Sequence, residues 1–213
     1  MTERAELLDR KKQLVKDISK YKNLQLAKKV QLNSAYGAVG NKYFRFFDVR
    51  KAEAITLSGQ LAIKWIERRV NEYLNRILDS EEVDYVIASD TDSLYITFDK
   101  LVNKVYPQGG DTEKIISFLD KVADEKLEPF IDKSYEELAR LTNAYSQKMF
   151  MKREAIADKG IWTAKKRYML NVYNNEGVQY AEPKLKMMGI ETVKSSTPAV
   201  CRDALKGAIQ IIM

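Results

Sequence analysis

Between residues 51 and 79 apolar positions recur every three or four residues. Ile63, Ile66, Val70, Tyr73, Leu74 and Ile77 fall on one stripe, which predicts a long helix with one buried face. Residues 3–40 also read as helical, with a break or fray expected before Tyr36-Gly37. Val83 to Ser89 and Leu94 to Phe98 are short β-branched and aromatic runs, and so are expected as strands. Residues 111–143 form an amphipathic helical pattern with Ile115, Leu119, Val122, Leu127 and Phe130 inside, and Met149 to Ile156 reads as a strand. "RYMLNVYNNEGVQYAEP" is a hairpin pattern turning at Asn174-Asn175-Glu176-Gly177. A last helix is expected from about Thr197 to Met213, with Ser196 or Thr197 as its cap and Pro198 in its first position. Helices and antiparallel strands are segregated rather than alternating, so the class is α+β.

The gap between the first two strands carries Asp90 and Asp92, in "YVIASDTDSLYITFD". A hairpin needs one turn-former there, whereas two carboxylates so close repel each other unless a cation sits between them. Residues i and i+2 can project to one side, which makes the pair a candidate oxygen site for Mg²⁺. The plainer alternative is a solvated polar turn.

Composition narrows the chemistry. The 213 residues contain no histidine and one cysteine, Cys201. That removes Ser-His-Asp triads, imidazole acid–base chemistry, thiolate zinc sites and internal disulfides. Carboxylates, lysine, tyrosine and hard metal ions remain. The net charge of +6 favours polyanionic partners such as nucleic acid. No apolar run is long enough to span a membrane.

Two further patterns concern nucleic acid. In "KNLQLAKKVQLNSAYGAVGN", Lys22, Gln25, Lys29, Asn33, Tyr36 and Gly40 share one helical stripe, opposite Leu24, Ala27, Ala35 and Ala38. An ammonium, amides and a phenol in sequence suit a phosphate and a base, although a solvated face has the same look. In "AKKRYMLNVY", Lys165-Lys166-Arg167-Tyr168 opens a predicted strand, with Lys166 and Tyr168 on one side and Lys165 and Arg167 on the other. Basic positions interleaved with aromatics suit a nucleic-acid backbone, and lysines also protect an edge strand from aggregation.

Together these stretches carry a resemblance. "KVQLNSAYGAVGN" resembles the fingers-helix motif of family B DNA polymerases, "DTDS" between apolar strands resembles their palm motif, and "KKRY" their primer-contacting strand. "GIETVKSSTP" resembles the segment leading into the thumb. Order and spacing match over essentially the whole chain, most nearly those of the replicative polymerases of large tailed phages.

The resemblance implies a polymerase palm, an antiparallel sheet with packed helices, at residues 41–190. It adds the C-terminal fingers helix at 1–40 and the start of the thumb at 191–213. It further implies addition of dNTPs to a primer 3′ end on primer–template DNA by a two-metal mechanism, with Mg²⁺ as the ion and Mn²⁺ as its substitute. By similarity Asp92 is the stronger metal ligand, Asp90 a weaker partner, and Glu154 a further acidic residue near the ions. Lys29 would contact the triphosphate, Asn33 line the nucleotide site, and Tyr36 and Gly37 lie against the nascent base pair. Lys166, Arg167 and Tyr168 would track the primer–template minor groove. The implied setting is the cytoplasm of an infected bacterial host, with no membrane.

The departures carry an expectation too. The family's upstream palm motif ending in "SLYPS" does not occur here, nor do the exonuclease and the first fingers helix. "AIADKGI", between Glu154 and Trp162, lacks a glycine- and proline-rich insert. The chain is therefore expected to be inactive alone, or completed by an upstream polypeptide. Readings that dispense with metals, as a DNA-binding module or an interaction protein with a basic surface, stay open beside it.

Overall fold

The computed structural model describes residues 2–213, an α+β chain that divides into two units after Ser58. The first unit holds α1 (Thr2–Val39), a loop, and the opening turns of α2 (Val49–Leu78). α1 runs unbroken through Tyr36-Gly37, so the expected interruption is absent. One glycine costs a helix only about 1 kcal/mol, too little to break one sustained on both sides. The helix ends at Gly40, whose amide returns to the Tyr36 carbonyl at 3.3 Å. The Asp48 amide then bonds the Val39 carbonyl at 3.1 Å, and the Asp48 Oδ1 accepts from the Arg50 amide at 3.1 Å, capping α2. Of the face expected to pack, Leu24, Ala27 and Ala35 are exposed and Ala38, near the end of the helix, is half-buried.

The second unit begins within α2. The stripe predicted there is largely the observed one: Ala62, Ile66, Val70 and Leu74 are buried, while Ile77 stays exposed. It packs with Tyr85, Val86, Leu127, Ile131 and Tyr135 into the main core. Each large aliphatic side chain so buried contributes about 1.5–3 kcal/mol. Asn71 and Asn75 hold the chain after α2, their side chains bonding the backbone of Val83, Tyr85 and Val86 at 2.7 to 3.1 Å.

β1 (Val86–Asp90) and β2 (Ser93–Ile96) form an antiparallel hairpin, close to the predicted strands. A short helix absent from the expectation follows, α3 (Asp99–Val105). The single helix expected over 111–143 is three pieces: α4 (Thr112–Val122), a π-helical turn (Ala123–Leu127) and α5 (Glu128–Leu141). α5 faces α2, where Trp65 Nε1 donates to the Ser134 carbonyl at 2.9 Å and Tyr73 stacks on Phe130 at 4.1 Å.

The second sheet is β3 (Ala155–Ala164), β4 (Arg167–Asn175) and β5 (Val178–Met188), antiparallel in that order. The strand expected at 149–156 begins only at Ala155, because Lys152 and Arg153 are tied by side chains instead of a ladder. Lys152 pairs with Glu128, and Arg153 with Asp120 and Asn174. Lys165-Lys166 does not open β4 but forms the two-residue turn between Ala164 and Arg167, with Lys166 at φ 61°. The next turn is confined to Glu176-Gly177, both at positive φ. α6 (Ala199–Ile212) packs Ile209 on Met169 and Ile190. Pro198 is its cap residue rather than its first helical one, and no side chain caps it, since proline carries no side-chain acceptor.

Glu128 ties these layers together. Burial opposes its ionisation, yet the Lys152 ammonium at 2.5 Å and the Arg153 amide at 2.9 Å outweigh that and hold the carboxyl below its ordinary value. A depressed carboxyl stabilises the fold above the unfolded value of 4.5, and the contribution fades as pH falls through the lower folded value. In urea melts at neutral pH, Glu128→Gln is expected to cost about 1–2 kcal/mol. The gap to wild type should close as pH drops below 4.5; a gap independent of pH would show that the ion pair is not its source.

Candidate active site

The aspartates sit where the β1–β2 hairpin turns. Asp90 ends β1 opposite Ser93, and Thr91-Asp92 is the two-residue turn, with Thr91 at φ 51°. Asp90 Oδ1 accepts from the Thr91 hydroxyl at 3.0 Å and lies 3.4 Å from Lys166 Nζ, while the Ser93 hydroxyl bonds the Asp90 carbonyl at 3.1 Å. Asp92 is exposed, and its carboxylate has no partner among the described residues. The cation that relieves the repulsion here is thus a lysine from another sheet.

The hairpin is seated on that sheet by Tyr95. Its ring meets Trp162 edge-on at 5.2 Å and Tyr168 at 5.4 Å. Gly160 makes room, because a Cβ there would stand 2.7 Å from the Trp162 ring. Leu170 and Val172 continue this cluster along β4. Burial, with the Tyr168 hydroxyl alongside, pushes the Tyr95 phenol up to about 12.

The structure brings Asp90, Asp92 and Lys166 together and distributes the other predicted residues differently. Tyr168 is only 5% exposed and packs inside the aromatic cluster, offering no open face. Arg167 is bound to the Gly189 carbonyl at 3.1 Å and paired with Glu191. Glu154 pairs with Lys186, and its carbonyl accepts from the Glu176 amide at 2.6 Å. Among the described residues no three acidic side chains converge on one point, so Glu154 does not join the aspartates in a ready-made cluster. The hard oxygens of Asp90 and Asp92 still fit Mg²⁺, which takes one or two carboxylates and fills its remaining positions with water and phosphate. Lys29, Asn33, Tyr36 and Gly37 lie in the first unit on α1, all exposed. Tyr95 and Trp162 were not singled out from the sequence, and Gly189 entered only as the first residue of "GIETVKSSTP", with no site role.

Residues 3–213 match the family model described as DNA polymerase family B. The chain belongs to that family. It is 50% identical over 195 residues to a DNA-directed DNA polymerase of Escherichia phage RB69, covering 87% of this chain and 22% of the relative. A DNA-directed DNA polymerase of Enterobacteria phage T4 is 43% identical over 198 residues, covering 89% and 22%. A DNA polymerase of Choristoneura biennis entomopoxvirus matches more distantly, at 27% over 141 residues. The chain thus spans about a fifth of the length of the relatives it matches. No helix among the described residues is long and apolar enough to cross a membrane.

The Tyr95 environment has a direct readout. In an ultraviolet absorbance titration, the difference between wild type and Tyr95→Phe should show one phenol ionising near 12 rather than at the ordinary 10. A raised phenol favours the fold below 10 and loses that contribution as pH climbs toward 12. A difference titrating at 10 would mean that the hairpin is not seated on the sheet as described.

Proposed function

We propose that this chain supplies palm and fingers elements for template-directed DNA synthesis, with residues 1–40 as the C-terminal fingers helix, 41–190 as palm and 191–213 as the start of the thumb. The observation that carries the reading is an exposed Asp92 beside a lysine-paired Asp90 on a two-residue hairpin, in a member of DNA polymerase family B. Primer–template DNA and dNTPs are the substrates of this reading, and the setting is a phage-infected bacterial cell.

Two Mg²⁺ ions at such a site, with Mn²⁺ as substitute, would align the primer hydroxyl with the α-phosphate and stabilise the departing pyrophosphate. Asp92 is the principal ligand and Asp90 the weaker one, because Asp90 already spends an oxygen on Lys166 and Thr91. Glu154 enters only by release from Lys186. Lys29 offers a mobile ammonium to the triphosphate, Asn33 an amide to the nucleotide, and Tyr36 with Gly37 a flat, open surface to the new base pair. Lys166, exposed like its neighbour Lys165, meets the primer–template, while Arg167 and Tyr168 support it from within.

Two carboxylates make a thin donor set, which supports a partner: an upstream polypeptide carrying the remaining palm carboxylate and the exonuclease. Mg²⁺-dependent extension of a primed template tests this, with the chain alone and mixed with such a polypeptide. Extension is expected in the mixture only, and Asp92→Ala should lower it by at least about a hundredfold, the scale of losing several kcal/mol of charge stabilisation. Extension by the chain alone would overturn the partner. If the mixture binds DNA but gives no extension, a DNA-binding module becomes the better reading.

A further inference from the structure

Lys166 reaches Asp90 from a different sheet, so something must fix the turn that carries it. Lys166 sits at φ 61°, a left-handed conformation that costs a non-glycine residue energy unless its surroundings enforce it. The enforcing contact is Gly189, the residue after β5, itself at φ 66°. A Cβ on Gly189 would stand 2.2 Å from the Lys166 carbonyl oxygen, which is backbone and cannot swing aside. The same glycine's carbonyl accepts from the Arg167 Nε at 3.1 Å, and the Arg167 Nη2 is paired with Glu191. Glycine therefore lets two backbone segments touch, and the Arg167–Glu191 pair clamps them there.

We infer that Gly189, with the Arg167–Glu191 clamp, is a positioning element that acts through Lys166 on Asp90, so that the segment between β5 and α6 sets the charge at the aspartate hairpin. The inference rests on the reading of Asp90 and Asp92 as a metal site. Its physical content is a change of opposite sign for cations and anions. With Lys166 held at Asp90, the ammonium lowers the pull of the aspartate pair on a divalent ion and presents a positive charge beside it for a nucleic-acid backbone. With the turn displaced, Asp90 is left bare. A divalent ion then binds more tightly and DNA more weakly.

Partial unfolding weakens both ligands, so the opposite signs separate positioning from mere damage. Mn²⁺ binding to the full chain is measured by electron paramagnetic resonance without DNA, and binding of a fluorescent primer–template duplex by anisotropy without metal. The variants are Gly189→Ala, Glu191→Gln, Lys166→Met, Lys166→Arg and Asp92→Ala. Lys166→Met is expected to tighten Mn²⁺ by about three- to tenfold, the effect of removing one charge near a divalent ion in screened solvent, and to weaken DNA binding by a similar factor. Gly189→Ala should move both constants the same ways by about two- to threefold, and Glu191→Gln, which leaves the glycine contact in place, by less. Lys166→Arg should restore wild-type values.

Where Asp92→Ala abolishes Mn²⁺ binding but Gly189→Ala and Glu191→Gln leave both constants unchanged, or weaken both together, the relay is overturned and the metal reading survives. Where the wild type binds no Mn²⁺ that Asp92→Ala removes, the metal reading is overturned and the relay to it falls as well.

Discussion

A pair of like charges on a tight turn is tolerable only if the turn is held rigidly and its field is answered. The Tyr95 ring, wedged against Trp162 and Tyr168, provides the first condition, and Lys166 provides the second. The Trp162–Tyr168 seat and Lys166 both come from the β3–β4–β5 sheet, so the hairpin owes its chemistry to strands distant in sequence. Gly160 admits the indole and Gly189 admits the Lys166 carbonyl, one working through absent side-chain volume, the other also through a positive φ. The larger core between α2 and α5 has a different task. It positions β1 from behind, through Tyr85 and Val86, without touching the charged end of the hairpin.

That division explains why the family's flat list of motif residues separates into two kinds here. Asp92 and Lys166 are exposed and available to ligands, as are the α1 residues Lys29, Asn33 and Tyr36. Arg167 and Tyr168 are committed inward, one to Gly189 and Glu191, the other to aromatic packing. The motif straddles a turn and a strand start, so its lysines stand out in the turn while Arg167 and Tyr168, on β4, are held within the structure.

Elements whose signal is local were legible in the sequence. The stripe of α2 repeats for many turns, and the aspartate hairpin is framed by β-branched runs on both sides. The turn at Lys165-Lys166 was not, because neither residue is a usual turn-former and the conformation is imposed by Gly189 from afar. α3 is seven residues with no apolar period to read, and "AIADKGIWTA" hides β3 behind a glycine and two charges. At the site, Asp90 and Asp92 were visible in the sequence and the resemblance ranked Asp92 above Asp90, but the Lys166 contact that sets them apart here was not. Only tertiary contact shows that one carboxylate is engaged and the other free. The burial of Tyr168 is of the same kind, since it depends on Tyr95 and Trp162, which no spacing rule joins to it.

The π-helical turn at Ala123–Leu127 bears on how such a chain tolerates change in length. A π turn bonds residue i to i+5 and so absorbs one residue more than an α turn over nearly the same rotation. α4 must keep Asp120 toward Arg153, while α5 must keep Ser134 toward Trp65. Elsewhere in a helix, losing one residue swings everything beyond it by about 100° and breaks one of those two contacts. Within this turn the loss would be taken up by reverting to α geometry, with both faces still aimed at their neighbours. Residues 123–127 are thus a joint in the genetic sense, where a codon can be lost while the register of the fold on either side stays as it is.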